Sequence, residues 1–373
     1  MAVLGLIVNP IAGMGGRVGL KGTDGESLLE RARALGALPG SGERAARALA
    51  RIALRSPGGL RVLAAAGGMG AELAVSSGLP SVALPVPARD GATTAADTRT
   101  AAELLVRRGV DLVLFAGGDG TARDVQAVVG ERVPILGIPS GVKMHSGVFA
   151  TTPEAAGEVA AAFLAAGVSA GLREAEVVDL EETTDAAAIS TRLYGAARVP
   201  DDRLRVQHAK AGPTASDEGE LDAVCAGLAA TMDPRRIYVL GPGTTMRRVM
   251  GGLGLDKTLL GVDAVRGGRL LGRDLAERDL LALLEGEAAT LLLGVVGGQG
   301  SLFGRGNLPL SPAVVREIGT GNVQIVAGLR KLLALDPAVL HVDTGDAELD
   351  AELSGYRPVH VAPRRTLIAE VAA

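Results

Sequence analysis

A chain of 373 residues, 47% hydrophobic and 21% charged, is long enough to hold two domains with real cores. A net charge of −4, scattered basic residues and 2% aromatics with no Trp exclude the basic, stacking-rich surface of a nucleic-acid binder. The single Cys225 excludes an intrachain disulfide, and no apolar run reaches the ~20 uninterrupted residues of a membrane span.

Val3 to Val8 is a continuous apolar run closed by Asn9-Pro10, the pattern of a strand buried on both faces. It lacks a basic segment before it and is too short for a signal peptide, so a cytoplasmic location is expected, and the lone thiol agrees with a reducing compartment. A glycine-rich loop spans Gly13 to Gly25. Ser41 to Leu54 predicts a helix, Arg61 to Ala65 a strand, and Ala95 to Arg107 a second helix. Asp111 to Ala116 predicts a buried strand that runs into Gly117-Gly118-Asp119-Gly120-Thr121, followed by a helix to Val129. Val133 to Ile138 is the next strand, ending in Pro139-Ser140-Gly141, and Thr152 to Ala166 an Ala-rich helix. Alternating strand and helix through residue 170 predicts a parallel α/β sheet of Rossmann-like type.

After Gly171 the pattern turns to short strand-like segments, Glu176 to Leu180, Ile237 to Leu240 and Leu259 to Val265, which predicts a second, β-rich domain. Leu275 to Leu284 reads as a helix capped by Asp274, Ser311-Pro312 opens another, and Arg364 to Val371 is a final strand. The expected division is 1–170, 171–330 and a terminal segment 331–373 that returns to the first domain.

The chemistry is expected where strands empty into glycine loops. Two glycines let the backbone turn sharply and approach a ligand, and the helix that follows presents free N–H groups to an anion. An aspartate between those glycines is expected to be exposed near phosphates, where it could hold Mg²⁺ or accept a proton from a hydroxyl. The bland alternative is a turn with a helix-capping Asp119. No Gly-Lys dipeptide occurs, which excludes a Walker-type loop, and no Gly-x-Gly-x-x-Gly occurs either. The four histidines show no zinc-type spacing.

Asn9-Pro10-Ile11-Ala12-Gly13, then Gly117 to Thr121, then Gly137-Ile138-Pro139-Ser140-Gly141 resemble the superfamily of NAD kinases, diacylglycerol kinases and phosphofructokinases. Within it, the blocks Gly13 to Gly25, Gly141-Val142-Lys143-Met144-His145-Ser146, Gly241-Pro242-Gly243-Thr244-Thr245 and Gly297-Gly298-Gln299-Gly300 resemble the ATP-NAD/AcoX kinase family. The resemblance implies a two-domain enzyme with its active site between the domains, which transfers the γ-phosphoryl of ATP, with Mg²⁺, to the 2′-hydroxyl of NAD. It implies a base or metal-linked role for Asp119 and phosphate contacts from Gly117, Gly118, Gly120 and Thr121. Nucleotide contacts are expected from Asn9, Gly13, Ser140, Gly141 and Lys143, and dinucleotide contacts from Gly241, Gly243, Thr244 and Thr245. The partners expected are small molecules and, as is common in the family, further copies of the chain. NAD kinases proper carry an Asn-Glu pair, whereas the asparagines here are Asn9, Asn307 and Asn322, none followed by Glu. A kinase of another hydroxyl (lipid, polyol or acetoin-pathway metabolite) and a silent nucleotide sensor therefore stay open.

Among single residues, Lys143 could neutralise a transferring phosphate, or be a solvated lysine. His145 could bond a phosphate or ribose, though a lone His is more often structural. Lys21 and Asp24 suit phosphate and metal contact less specifically. Asp263 interrupts an apolar strand and so needs a partner or a function. Gln299 could read a nucleotide's polar edge.

Overall fold

The computed structural model describes residues 2–20, 26–55, 58–86, 93–142, 144–167, 171–182, 189–202, 205–206, 215–295, 300–304, 307–335, 337–362 and 365–373. They form two units. The first comprises Met1–Met14, Gly22–Arg33 and Leu38–Lys210, and the second Gly15–Lys21, Ala34–Ala37 and Ala211–Ala373.

The first unit runs β1 (Ala2–Val8), α1 (Glu26–Ala34), α2 (Ser41–Arg55), β2 (Leu60–Ala65), α3 (Ala71–Ser76), β3 (Ser81–Leu84), α4 (Ala95–Arg107), β4 (Leu112–Gly117), α5 (Asp119–Val129), β5 (Ile135–Pro139) and α6 (Pro153–Ala166). Its strands form one parallel sheet in the order β3-β2-β1-β4-β5. The runs of Val, Leu and Ile in β4 and β5 are buried along their whole length, as a sheet covered on both faces requires. Helix α2 buries Ala45, Ala48, Leu49 and Ile52, a stripe at helical spacing. A Cβ at Gly157 of α6 would lie 2.3 Å from the Ala48 carbonyl oxygen, so the two helices meet almost backbone to backbone. Few aromatics are needed in such a core; the buried rings of Phe115 and Phe149 meet edge to face, with centroids 5.5 Å apart.

The chain then forms an antiparallel ribbon, β6 (Leu172–Glu182) and β7 (Ile189–Pro200). A bulge opposite Val177 and Val178 leaves Tyr194 as the extra residue. The ribbon is held to α5 by Gln126 Nε2, which donates to the Ala196 carbonyl at 3.0 Å, and by the Arg123–Asp179 ion pair at 3.1 Å.

The second unit contains α7 (Ala215–Ala230), β8 (Ile237–Leu240), α8 (Thr244–Gly252), β9 (Asp263–Arg266), β10 (Arg269–Gly272), α9 (Glu277–Leu284) and β11 (Ala289–Gly294). It continues with α10 (Pro312–Ile318), β12 (Val323–Val326), α11 (Leu329–Leu333), β13 (Val339–His341), α12 (Ala347–Leu353), β14 (Gly355–Ala362) and β15 (Arg365–Ala372). Its sheet has the order β10-β9-β8-β11-β12-β14-β15-β13, with β8, β11, β12 and β14 parallel neighbours. The second unit is sheet-rich, and its centre is again an α/β arrangement.

Several boundaries differ from the sequence reading. The ribbon of β6 and β7 groups with the first unit, because Ser146, Arg123 and Gln126 all bond to it. The last strands pair with β12 and β13 in the second sheet, so the terminal segment belongs to the second unit. Leu259 to Val262 is not strand, and helix α9 is capped at Ala276. Asp274 instead occupies a turn at φ 48° and donates its N–H to Asp263 Oδ1 at 2.8 Å.

Candidate active site

The strand order of the first sheet reverses between β1 and β4, and open α/β sheets bind ligands at the carboxyl ends of strands flanking such a reversal. Three of the loops singled out in the sequence meet there. Asn9 follows β1 and donates from Nδ2 to Thr121 Oγ1 at 3.0 Å, while its own Oδ1 accepts from the Ile11 N–H at 3.2 Å. The Ser140 N–H after β5 donates to the Gly117 carbonyl at 3.0 Å. Gly13 sits at φ 74°, and a Cβ there would lie 2.1 Å from the Ser140 carbonyl oxygen. Glycine is thus required at position 13 twice over, by its left-handed backbone and by the close approach of the 140 loop.

Asp119 opens α5 at the centre of this cluster. Contrary to the sequence expectation, its side chain is wholly buried. Oδ2 accepts from the His145 backbone N–H at 2.7 Å and faces His145 Nδ1 at 3.0 Å. Oδ1 accepts from the Ser146 N–H at 3.0 Å and from Ser146 Oγ at 2.7 Å. The Ser146 hydroxyl also accepts from the Val178 N–H at 3.1 Å, which ties the loop to β6 opposite the bulge of β7. Two backbone N–H groups, with the Ser146 hydroxyl and the His145 ring beside them, satisfy the charge that burial would otherwise penalise. The outermost member of the cluster is the imidazole of His145, whose side chain is 24% exposed.

Other residues expected at phosphate contacts also serve the scaffold. Thr121 is buried, accepts from Asn9, and packs so closely on Gly117 that a Cβ there would lie 2.4 Å from it. Ser140 is buried, with its hydroxyl on the Ile138 carbonyl at 3.1 Å. What the loop offers a ligand is backbone from Gly118, Gly120 and Gly141, together with the first free N–H groups of α5.

In the second unit Gly241-Pro242-Gly243-Thr244-Thr245 connects β8 to α8. Gly243 at φ 107° has open space beside it, and Thr244 is exposed. Thr245 is buried against β11, 3.2 Å from the position of a Cβ on Gly294, and a Cβ on Gly241 would meet Leu293 at 2.9 Å. Those two residues pack the helix onto the sheet. Asp263 is a structural carboxylate as well. It is fully buried, accepts from the Thr258 N–H at 2.9 Å and from the Thr258 hydroxyl, and lies 3.8 Å from the buried ammonium of Lys257. These contacts satisfy a buried carboxylate within the fold. Cys225 is a buried thiol pushed up to about 12 by burial, which makes it unreactive.

Lys143, Gln299, Lys21 and Asp24 lie outside the described residues. Among the described residues no cluster of three or more His, Cys, Asp or Glu side chains could cage a metal ion, and the Asp119 oxygens are engaged by His145 and Ser146. Among the described residues no side-chain cage for Mg²⁺ is present, and Asp24, expected to suit metal contact, lies outside them. No helix among the described residues is long and apolar enough to cross a membrane.

Ser146 and His145 stand in the sequence block Gly141 to Ser146. Both lie in the block after β5, and only the folded arrangement brings them against a residue 26 and 27 positions earlier. Comparison with family models matches residues 4–168 to the ATP-NAD kinase N-terminal domain and residues 235–371 to the ATP-NAD kinase C-terminal domain. No curated protein and no solved structure matched the chain.

Proposed function

From the premise that the chain belongs to the ATP-NAD kinase family, and is a phosphotransferase of that kind, we propose that it phosphorylates the 2′-hydroxyl of NAD with ATP to give NADP. The observation that carries this reading is the match of both kinase domains in their proper order over most of the chain. The glycine loop at the switch point adds to it, since a kinase needs a backbone-lined anion site beside a positioned proton acceptor.

In this reading Gly118, Gly120 and Gly141 approach phosphates. Mg²⁺ arrives with ATP, and the acceptor oxygen attacks the γ-phosphorus as the bond to the β-phosphate oxygen breaks and ADP leaves. In the same reading Lys143 neutralises charge on the transferring group. A cytoplasmic setting suits an enzyme whose one cysteine is a free thiol.

A second acceptor is favoured by one observation, the lack of any Asn-Glu pair in a chain with only three asparagines. Another hydroxyl compound would then take the phosphoryl group. Purified protein given ATP, Mg²⁺ and NAD separates the two. NADP formation supports the first reading, and ADP formation that depends on a different alcohol, with no NADP, supports the second.

A further inference from the structure

We propose that the buried pair Lys257 and Asp263 is a positioning device that holds two glycine loops of the second unit, residues 15–20 and 241–245, in one fixed arrangement for the nucleotide. The inference rests on the kinase reading above, with both loops taken as nucleotide contacts as their family resemblance implies, and deepens it.

Asp263 starts β9 opposite Leu240, the last residue of β8 before the 241–245 loop. Its side chain and that of Lys257 have no exposed surface. Oδ2 accepts from the Thr258 N–H at 2.9 Å, and Oδ1 accepts from the Asp274 N–H at 2.8 Å and from the Thr258 hydroxyl. Lys257 Nζ, 3.8 Å from Oδ2, donates to the carbonyls of Thr258 at 3.0 Å and Gly261 at 2.8 Å, which closes the 257–263 turn on itself. Gly261 leaves room for this closure, since a Cβ there would lie 2.4 Å from both Asp274 Oδ1 and Thr258 Oγ1. Desolvation offsets most of the attraction in a buried ion pair, so this one does more for geometry than for stability.

Each arm of the network ends on one loop. On one side the Leu259 carbonyl, inside the closed turn, accepts from the Gly243 N–H at 2.7 Å and so sets the residue, at φ 107°, from which α8 starts. On the other side Asp263 holds Asp274, the one non-glycine at positive φ among the described residues, at 48°. The Leu275 N–H then meets the Val262 carbonyl at 2.8 Å, and the Glu277 N–H at the start of α9 donates to the Arg17 carbonyl at 3.2 Å. Gly19 packs on the same turn, where a Cβ would lie 3.7 Å from the Asp274 carbonyl oxygen. One carboxylate thus orders both supports, and a shift of Asp263 has to move both loops. Loops ordered before binding spare the nucleotide the entropy of fixing them.

Hydrogen exchange on the full-length protein, without substrate, reads this coupling. The Gly243 amide reports one loop, and the Leu20 amide, bonded to the Gly15 carbonyl at 2.9 Å, reports the other. Thr258→Val removes one donor to Asp263 with little change in shape. It should speed exchange about tenfold or more at both amides, while the β11 amides between β8 and β12 keep their protection. Faster exchange confined to residues 257–263, with Gly243 and Leu20 unchanged, overturns the proposal, and so does an equal loss of protection in β11. In the NADP assay Thr258→Val should raise KM for ATP or NAD about tenfold and leave kcat within about twofold, and Thr258→Ser, which keeps the hydroxyl, should stay at the wild-type KM. A fall in kcat with KM unchanged, or a serine variant no better than valine, contradicts the positioning role. Wild-type protein that makes no NADP would remove NAD as acceptor, and the exchange pattern would still decide the coupling of the loops.

Discussion

Asn9 Nδ2 lies 3.0 Å from Thr121 Oγ1, a bond that spans 112 residues of sequence and joins the end of β1 to the first turn of α5. Because Asn9 Oδ1 also receives the Ile11 N–H and its carbonyl receives the Ser41 hydroxyl at 2.6 Å, one side chain and its own backbone fasten three elements at the switch point.

Asn9→Ala removes the amide that bonds the Thr121 hydroxyl and accepts from the Ile11 N–H. The expected loss is about 1–3 kcal/mol, since an unsatisfied group in a part-buried site costs more than a hydrogen bond contributes. Urea denaturation of the variant measures it, and an unchanged midpoint would show that water replaces the side chain at no cost.

The two loop glycines at positive φ should respond differently to alanine. Gly13→Ala must hold a Cβ 2.1 Å from the Ser140 carbonyl oxygen at φ 74°, so the 140 loop has to move. The left-handed backbone alone costs roughly 1–2 kcal/mol, and the clash adds to that. Gly243→Ala, at φ 107° but with open space around it, carries backbone strain only. Thermal melts should rank Gly13→Ala below Gly243→Ala, and the reverse order would contradict the packing described at the switch point.

Acid stability carries one resolved contribution in the second unit. Hydrogen bonds from the Arg316 guanidinium, at 2.8 and 3.0 Å, and then from the Leu349 N–H, bring Asp346 down from its ordinary 3.8 to about 2. A carboxylate depressed on folding contributes stability that is complete above the unfolded value and is lost as pH falls through the folded one. Between about pH 4 and 2 the wild type should therefore lose melting temperature faster than Asp346→Asn, which cannot titrate there. Parallel pH slopes of the two proteins over that window would contradict the assignment.

Much of the first unit was legible because local and tertiary signals agree. The helix Ala95–Arg107 starts where Thr94 and Asp97 make their capping contact and buries Ala101, Ala102 and Leu105 at helical spacing. The fully apolar runs of β4 and β5 could belong only to a covered parallel sheet. What stayed hidden depends on partners distant in sequence. Asp119 between two glycines reads as exposed until His145 and Ser146 close over it. Asp263 suggests a ligand site until Thr258 and Lys257 are seen to occupy it. The helix Ala215–Ala230 gave no clear apolar stripe, because small and acidic residues break its pattern. Gly117 and Gly241, expected at ligand contacts, also make room for the chain's own Thr121 and Leu293.

The central claim is phosphoryl transfer to NAD at the Asp119 cluster, and the most direct measurement is a coupled assay for NADP with ATP, Mg²⁺ and NAD, run on the wild type and on Asp119→Ala. The account predicts NADP from the wild type and a loss of several orders of magnitude in the variant, which removes the carboxylate that His145 and Ser146 engage but leaves both units folded by circular dichroism. A folded Asp119→Ala protein that makes NADP at the wild-type rate would contradict it.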